Sequence, residues 1–461
     1  MQLVYNVKDK PKFSQLLVFA FQQLLAIMAA TIAVPAIVGN NMTASAALFG
    51  AGVGTLVYQL FTKFKSPVFL GSSFAFIGPM LAAFAGATGS VLLGYLGLII
   101  GAVFAGLVYV VIALVVKFVG VGWINKLMPA VVIGPTVALI GLSLAGAAIN
   151  DVFSYGETVT FGVSSYFVMS TGAWVSFACA IVTFAVVVLC STYGKKMAKL
   201  IPFIIGILSG YAVGLLFTGI GYWTGNDALK IIDFAPFTAL VEGGVGVQTF
   251  IVLPEFSFLS AIKGIGDFKW SYLATVAVAY IPVSFVVFAE HLADHKNLSS
   301  IIEKDLLEEP GLSRTLLGDG IGSIFGAIFG GCPNTTYGES VGCVAITRNA
   351  SIVTVTAAAV MSILVSFISP FVAFLDSIPG CVMGGVCMTL YGFIAVSGLK
   401  MIQKVDFEDN KNVFVASAIL IPGIGGMAMN IGEVYITTTA CALILGIITN
   451  VVLSRKKKDA E

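Results

Sequence analysis

Two short stretches place carboxylates where a chain this apolar would not leave them idle. The first is Ala289-Glu290-His291-Leu292-Ala293-Asp294-His295, near the end of a long apolar run. On a helix Glu290 and Asp294 are i,i+4 and share one face; His291 and His295, the chain's two histidines, share the neighbouring face. Carboxylates one turn apart, about 5–6 Å between Cβ atoms, resist ionising together when partly desolvated, so a shared proton is a natural state. The available chemistry is proton uptake and acceptance of hydrogen bonds. An intramembrane carboxylate usually lines a cavity. A wet cytoplasmic helix end explains the same cluster, because 270–289 already supplies twenty apolar residues.

The second stretch is Gly330-Gly331-Cys332-Pro333-Asn334-Thr335-Thr336-Tyr337-Gly338-Glu339. Its counterpart in the first half is Ser66-Pro67-Val68-Phe69-Leu70-Gly71-Ser72-Ser73-Phe74. Each opens with a proline-containing, β-prone or polar run and turns helical only halfway. Extended backbone at membrane depth leaves N–H and C=O groups unpaired unless they face a cavity or one another. Two such segments crossing antiparallel would pair briefly and bring two half-helix N-termini, with their free donors and partial positive charge, to one point. A polar solute would be held there; Gly-rich re-entrant packing is the plainer alternative. Glu339 either serves that site or caps its own helix. Asp319 and Glu433 read as caps or packing partners. No nucleophile–base pair, P-loop or metal-ligand spacing occurs, so neither an enzyme nor a cofactor is expected.

The elements that must carry these residues are membrane helices. Hydrophobic residues make up 58% of the 461-residue chain and charged residues 10%, where a soluble domain carries about 25% charge. A net charge of +1 gives no reason to invoke nucleic acid. No cleavable signal peptide is evident, and the seven cysteines, without a CxxC pair, read as buried packing residues. At ~20 apolar residues per crossing, spans fall near 14–38, 43–62, 68–88, 92–116, 125–150, 172–192 and 200–222. The second seven fall near 270–295, 312–330, 333–347, 350–374, 378–399, 411–428 and 432–454. With a cytoplasmic N-terminus, Lys63, Lys65, Lys117, Lys126, Lys195, Lys304, Arg314, Arg348, Lys400, Lys404, Lys411 and the Arg455–Lys458 tail fall on the cytoplasmic side. Lys230, Lys263 and Lys269 fall opposite among Asp151, Glu157, Asp227, Asp233, Glu242, Glu255 and Asp376, an asymmetry that the positive-inside rule predicts. Both termini are therefore expected inside. Met-Pro-Ala-Val-Val-Ile-Gly at 128–134 recurs as Ile-Pro-Gly-Cys-Val-Met-Gly at 378–384, opening spans five and twelve. That odd offset turns the copies over, which is the mark of an inverted repeat.

Leu70-Gly71-Ser72-Ser73-Phe74-Ala75-Phe76, Ala289-Glu290-His291 and Pro333 through Glu339 resemble the nucleobase–ascorbate transporter family, most closely its bacterial uracil permeases. Lys304-Asp305-Leu306-Leu307 and Pro310-Gly311-Leu312 extend the likeness along most of the chain. The resemblance implies an all-α polytopic protein of fourteen transmembrane segments in two inverted repeats of seven, with short strands in spans three and ten. It implies a core domain from 1–118 and 269–375 and a gate domain from 119–268 and 376–461. It also implies proton symport, a homodimer and residence in the cell membrane.

Carried over residue by residue, Glu290 and Glu339 match the glutamates that grip the base, and Phe74 and Gly338 match positions whose backbone faces it. Relatives selective for purines usually carry Gln at the place of Glu339, so the expected solute is uracil, with two N–H donors and two carbonyl acceptors. The expected activity is uracil import by alternating access. A xanthine or other purine permease, or an anion carrier of the same fold, are the alternatives. Three departures stand out. Ser340 replaces an Asn that would orient the glutamate or the base, Gln22-Gln23 replaces a Gln-His pair, and Asp294 replaces a histidine. Proton coupling is thereby expected among Asp294, Glu290 and His291.

Overall fold

In hydrocarbon the backbone must satisfy its own hydrogen bonds, and this chain does so with helices almost throughout. The computed structural model describes residues 3–120, 129–161, 164–403, 405–431 and 434–458. Lys126, Met128, Lys404 and Glu433, which bear on the charge, repeat and capping expectations, lie outside them. The order is α1 (Phe13–Val38), α2 (Ala44–Phe61), β1 (Leu70–Ser72), α3 (Ile77–Gly86), α4 (Val91–Val119), α5 (Ala130–Ser143) and α6 (Ala145–Val152). The hairpin β2 (Glu157–Phe161) and β3 (Ser164–Val168) precedes α7 (Thr171–Tyr193) and α8 (Pro202–Thr224). Then come α9 (Trp270–Ile302), α10 (Leu312–Gly330), β4 (Asn334–Thr336), α11 (Gly338–Thr347), α12 (Ile352–Val365), α13 (Ser369–Asp376) and α14 (Gly380–Ile402). The chain ends in α15 (Asn410–Ile424), the strands β5 (Met429–Ile431) and β6 (Val434–Ile436), and α16 (Thr438–Lys458).

Among the described residues eight spans are long and apolar enough to cross a bilayer unaided: Phe13–Val38, Ala44–Phe61, Val91–Val119, Ala130–Val152, Thr171–Tyr193, Pro202–Thr224, Trp270–Ile302 and Gly380–Ile402. The remaining expected spans are helical but shorter or more polar. The third and tenth divide into a strand and a half-helix. The eleventh, expected over 350–374, breaks at 366–368 into α12 and α13. α10 has 19 residues but carries Arg314 and Asp319 among many glycines.

Contact density divides the chain into two units. The first comprises Met1–Ser143, Pro254–Leu364 and Phe393–Glu461, and the second Leu144–Leu253 and Val365–Gly392. In the first unit α10 packs on α2 and α4, and α4 packs on α9. Glycines at four-residue spacing make the α2–α10 approach close, as in other membrane helix pairs. A Cβ on Gly50 would lie 2.6 Å from the Gly326 carbonyl, and one on Gly54 would lie 2.8 Å from the Gly322 carbonyl. Loop contacts tie alternate connections together. Val4 N donates to the Arg348 carbonyl at 2.8 Å, and Lys411 Nζ to Ser454 Oγ at 2.8 Å. Lys65 Nζ meets Glu309 at 2.5 Å, and this ammonium holds the Glu309 carboxyl below its usual range. On a different pair of connections, Ser90 Oγ donates to Asp267 at 2.7 Å.

The second unit is built on α7 against α8. Here a Cβ on Gly210 would lie 3.1 Å from the Cys179 carbonyl, and the Tyr211 hydroxyl meets Ser377 Oγ at 2.8 Å. Trp174, Leu189, Leu216 and Trp223 of these helices are exposed, a surface suited to lipid rather than water.

The α2–α10 seam gives a test. Gly50→Val, with its Cβ 2.6 Å from the Gly326 carbonyl, overpacks it, at a cost of roughly 1–3 kcal/mol. The thermal midpoint of the detergent-purified protein should fall by about 2–5 °C, whereas Gly219→Ala, where a Cβ meets nothing within 4 Å, should leave it unchanged. Equal midpoints in the two variants would show that the seam tolerates a side chain.

Candidate functional site

The two broken segments meet. β1 and β4 pair antiparallel with Leu70 opposite Thr336, Gly71 opposite Thr335 and Ser72 opposite Asn334, and all six residues are buried. A three-residue ladder is only about 7 Å long, so the helices that follow its two ends start close together. One begins with a 3-10 turn at Phe74–Phe76 leading into α3; the other is α11. Neither start carries a side-chain cap. A helix start leaves its first backbone amides without an intrahelical acceptor.

Several contacts hold this crossing. Ser73 N donates to the Pro333 carbonyl at 2.9 Å, and the Tyr337 hydroxyl donates to the Ser72 carbonyl at 2.5 Å. The Tyr337 ring occupies the space where a side chain on residue 71 would stand, so glycine is required there. Asn334 Nδ2 donates to the Gly50 carbonyl at 2.9 Å, and the Ser323 hydroxyl donates to the Asn334 carbonyl. Leu70 N donates to Thr55 Oγ1 at 2.9 Å.

α9 runs beside the crossing and sorts its polar residues onto two sides. Glu290 and Asp294 are half-buried. Asp294 Oδ2 accepts from Thr336 Oγ1 at 2.8 Å, and a Cβ on Gly338 would lie 3.9 Å from Asp294 Oδ1. Asp294, Asp319 and Glu339 all act on Glu290 electrostatically. Glu339 is half-buried in the first turn of α11, with its carboxylate accepting from its own backbone N–H. Gly338 is exposed and Phe74 half-buried. The structure thus gathers Glu290, Asp294, Glu339 and Gly338 around the strand crossing, and Phe74 begins the opposing half-helix.

His291 and His295 lie apart from that group, fully buried. His291 Nδ1 is 2.6 Å from Asp319 Oδ2, and its Nε2 is 3.0 Å from Thr315 Oγ1. His295 Nδ1 is 2.8 Å from the His291 carbonyl, which can only accept, so this nitrogen carries a proton. Its Nε2 is 2.7 Å from the Tyr58 hydroxyl, which is itself 2.7 Å from Ser66 Oγ. Asp319 is a packing partner inside α10, as one reading of the sequence had it. Ser340 is also fully buried, its oxygen accepting from Gln23 Nε2 at 2.7 Å and from Phe69 N at 3.0 Å.

The sequence reading missed Thr336, Thr315 and Tyr58. Thr336 sits inside the noted Asn-Thr-Thr-Tyr run and was within reach; nothing local marks the other two. A cavity of about 880 Å³ opens beside Asp294, lined among others by Ile133, Phe288, Leu292, Lys296 and Lys400. The other polar positions along it are Asn297, Ser397 and Gln403.

With the geometry in hand, similarity to known proteins can be weighed. The Permease family model (Xan_ur_permease) matches residues 14–432. A uracil permease of Bacillus caldolyticus is 36% identical over 99% of this chain and 96% of its own length. A uracil permease of Escherichia coli (strain K12) is 33% identical over 96% of this chain and 92% of its own. Among solved structures, the transmembrane domain of the cyanobacterium bicarbonate transporter BicA covers 97% of this chain and all of its own, with a TM-score of 0.57 at 16% identity. That last likeness speaks for the fold alone. The family match over residues 14–432 and the nearly full-length identity to uracil permeases establish that this chain belongs to the permease family.

Proposed function

We propose that this protein is a secondary active transporter that imports uracil by proton symport through alternating access. The observation that carries the reading is the β1–β4 crossing with Glu290 and Glu339 beside it. A uracil edge offers N–H donors to the carboxylates and carbonyl acceptors to the helix start at Gly338, with Phe74 opening the opposing half-helix. Ser340, expected from the sequence to join them, stands behind Glu339 with its oxygen taken by Gln23 and the Phe69 amide. A site lined by carboxylates repels anions, which weighs against bicarbonate-like cargo despite the shared fold. It also lacks any nucleophile–base pair, and the protein is a transporter rather than an enzyme. Xanthine is the second reading within the family.

Fourteen segments in two inverted repeats of seven fit the helices and half-helices described, with strands in the third and tenth. Both termini are assigned to the cytoplasm and the protein to the cell membrane. The Val4–Arg348, Lys65–Glu309 and Lys411–Ser454 contacts support this, since each joins connections given the same side. The core (1–118, 269–375) and gate (119–268, 376–461) are drawn by span number. Contact density groups 130–143 and 393–461 with the first unit instead. A homodimer is carried over from the family resemblance. For the coupled proton we assign Asp294 with Glu290 as the acceptors. Asp294 faces the cavity, and its bond to Thr336 links it directly to the strand crossing. His291 enters through Asp319 on the far face of the same helix.

Equilibrium binding of labelled uracil tests the site. Hydrogen bonds to a charged partner are worth about 1.5–3 kcal/mol each, so Glu290→Ala and Glu339→Ala should each weaken uracil more than ~10-fold while the protein still elutes as a single folded species. Competition should rank uracil above xanthine, hypoxanthine and ascorbate. Wild-type affinity in either variant would make that glutamate structural, and xanthine ahead of uracil would defeat the choice of base. Coupling is tested separately in proteoliposomes. Asp294→Asn should lose accumulation on an inward proton gradient yet retain uracil exchange at equal concentrations. Normal accumulation by that variant removes Asp294 from the coupling step.

A further inference from the structure

Ser340 is the residue after Glu339, and three distant segments of chain meet at its hydroxyl oxygen. Gln23 Nε2 reaches it from α1, Phe69 N from the lead into β1, and Ser340 itself sits in the first turn of α11. Ser340 is 0% and Gln23 3% exposed, so no water competes for these bonds. A hydroxyl has two acceptor positions, and both are filled. Leu70 N is held by Thr55 and Ser73 N by the Pro333 carbonyl, so β1 is pinned along its whole length. Phe69 precedes Phe74 by five residues of this pinned strand, and whatever moves the first moves the second. The opposing wall is Glu339, next in chain to Ser340. One oxygen therefore fixes the gap between the Phe74 side and the Glu339 side of the site.

Gln23 and Ser340 are also two positions at which this chain departs from the pattern it resembles, and they prove to be bonded to each other. A long amide on α1 meets a short hydroxyl on α11, where the pattern has a ring on α1 and a longer amide on α11.

We infer that Gln23 and Ser340 form one positioning unit that sets base selectivity by fixing the gap between Phe74 and Glu339. It rests on the base-binding reading of the site. Ser340 acts through the backbone it holds and does not touch the base. Substituting either partner shifts β1 against α11 and changes which ring fits.

The test is equilibrium binding of labelled uracil to the detergent-purified full-length protein, with xanthine and thymine as competitors. The variants are Ser340→Ala, Gln23→Leu, their combination, Ser340→Asn, and the double exchange Gln23→His with Ser340→Asn. Each Ala or Leu variant should weaken uracil about 10-fold or more and shift the uracil-to-xanthine affinity ratio at least ~3-fold, and their combination should be no weaker than the worse single. Ser340→Asn alone should lose binding, and the His/Asn double exchange should regain it to within about fivefold of wild type. Losses that multiply in the combination would show Ser340 acting independently of Gln23. Equal loss for all three bases would reduce the unit to a structural role. Wild-type binding by Ser340→Ala, or no recovery in the His/Asn pair, overturns the inference as well. Preference of the wild type for xanthine defeats the uracil reading alone, and the same cycle is then read on xanthine. Wild type that binds none of the bases defeats the site reading and this inference with it.

Discussion

Everything at the centre of this molecule depends on one constraint: backbone N–H and C=O groups cannot be left unpaired in hydrocarbon. The segments around Leu70–Ser72 and Asn334–Thr336 break helical bonding at membrane depth, and they are possible there because they bond to each other. Three residue pairs do little for stability by themselves. Their value is geometric, since an antiparallel crossing places the start of one half-helix near the start of another. The side-chain contacts from Tyr337, Asn334, Ser323 and Thr55 serve this backbone, and only through it the ligand. Glycine recurs for the same reason. Gly71 leaves room for the Tyr337 ring, and Gly326 leaves room for Asn334.

The second organising feature is the division of α9 into two faces. Residues four apart stack on a helix, so Glu290 with Asp294 and His291 with His295 cannot all serve one site. The carboxylate face stays half-buried beside the strand crossing. The histidine face is sealed, with Asp319, Thr315 and Tyr58 supplying its partners. Breaking such buried polar contacts singly is expensive, because the remaining group keeps its desolvation cost. α9 is thereby clamped to α10 at His291 and to α2 at His295. The carboxylates inherit a fixed position from residues that never meet the ligand.

How much of this was legible in the sequence follows from the range of each interaction. The strand crossing was readable because proline, glycine and β-branched residues interrupt two otherwise apolar runs at matching places. The two faces of α9 were readable from spacing alone. The partners of the sealed face were not, because Tyr58 and His295 are 237 residues apart and no local pattern marks Tyr58. The bond between Gln23 and Ser340 crosses 317 residues and was visible only as two unrelated departures from a pattern. Hydropathy also blurs the count of crossings. It sees the break of the eleventh span at 366–368 as continuous apolar chain, and it undervalues α10, whose glycines and Asp319 are needed for close packing and for His291.

The same distinction explains why fold and cargo separate in this architecture. A bicarbonate transporter's membrane domain superposes over nearly the whole chain at 16% identity, so the fold by itself does not name the solute. Helix N-termini favour an acceptor-bearing or anionic group on their own. Here the choice is made by what stands opposite them. In the proposed site Glu290, Asp294 and Glu339 are the acceptors, and a free anion placed between them would meet repulsion in a poorly screened space. A neutral ring that presents acceptors to the amides and N–H donors to the carboxylates satisfies both walls at once. Selectivity among such rings is then a matter of the distance between the walls, which is set by the backbone anchors behind them.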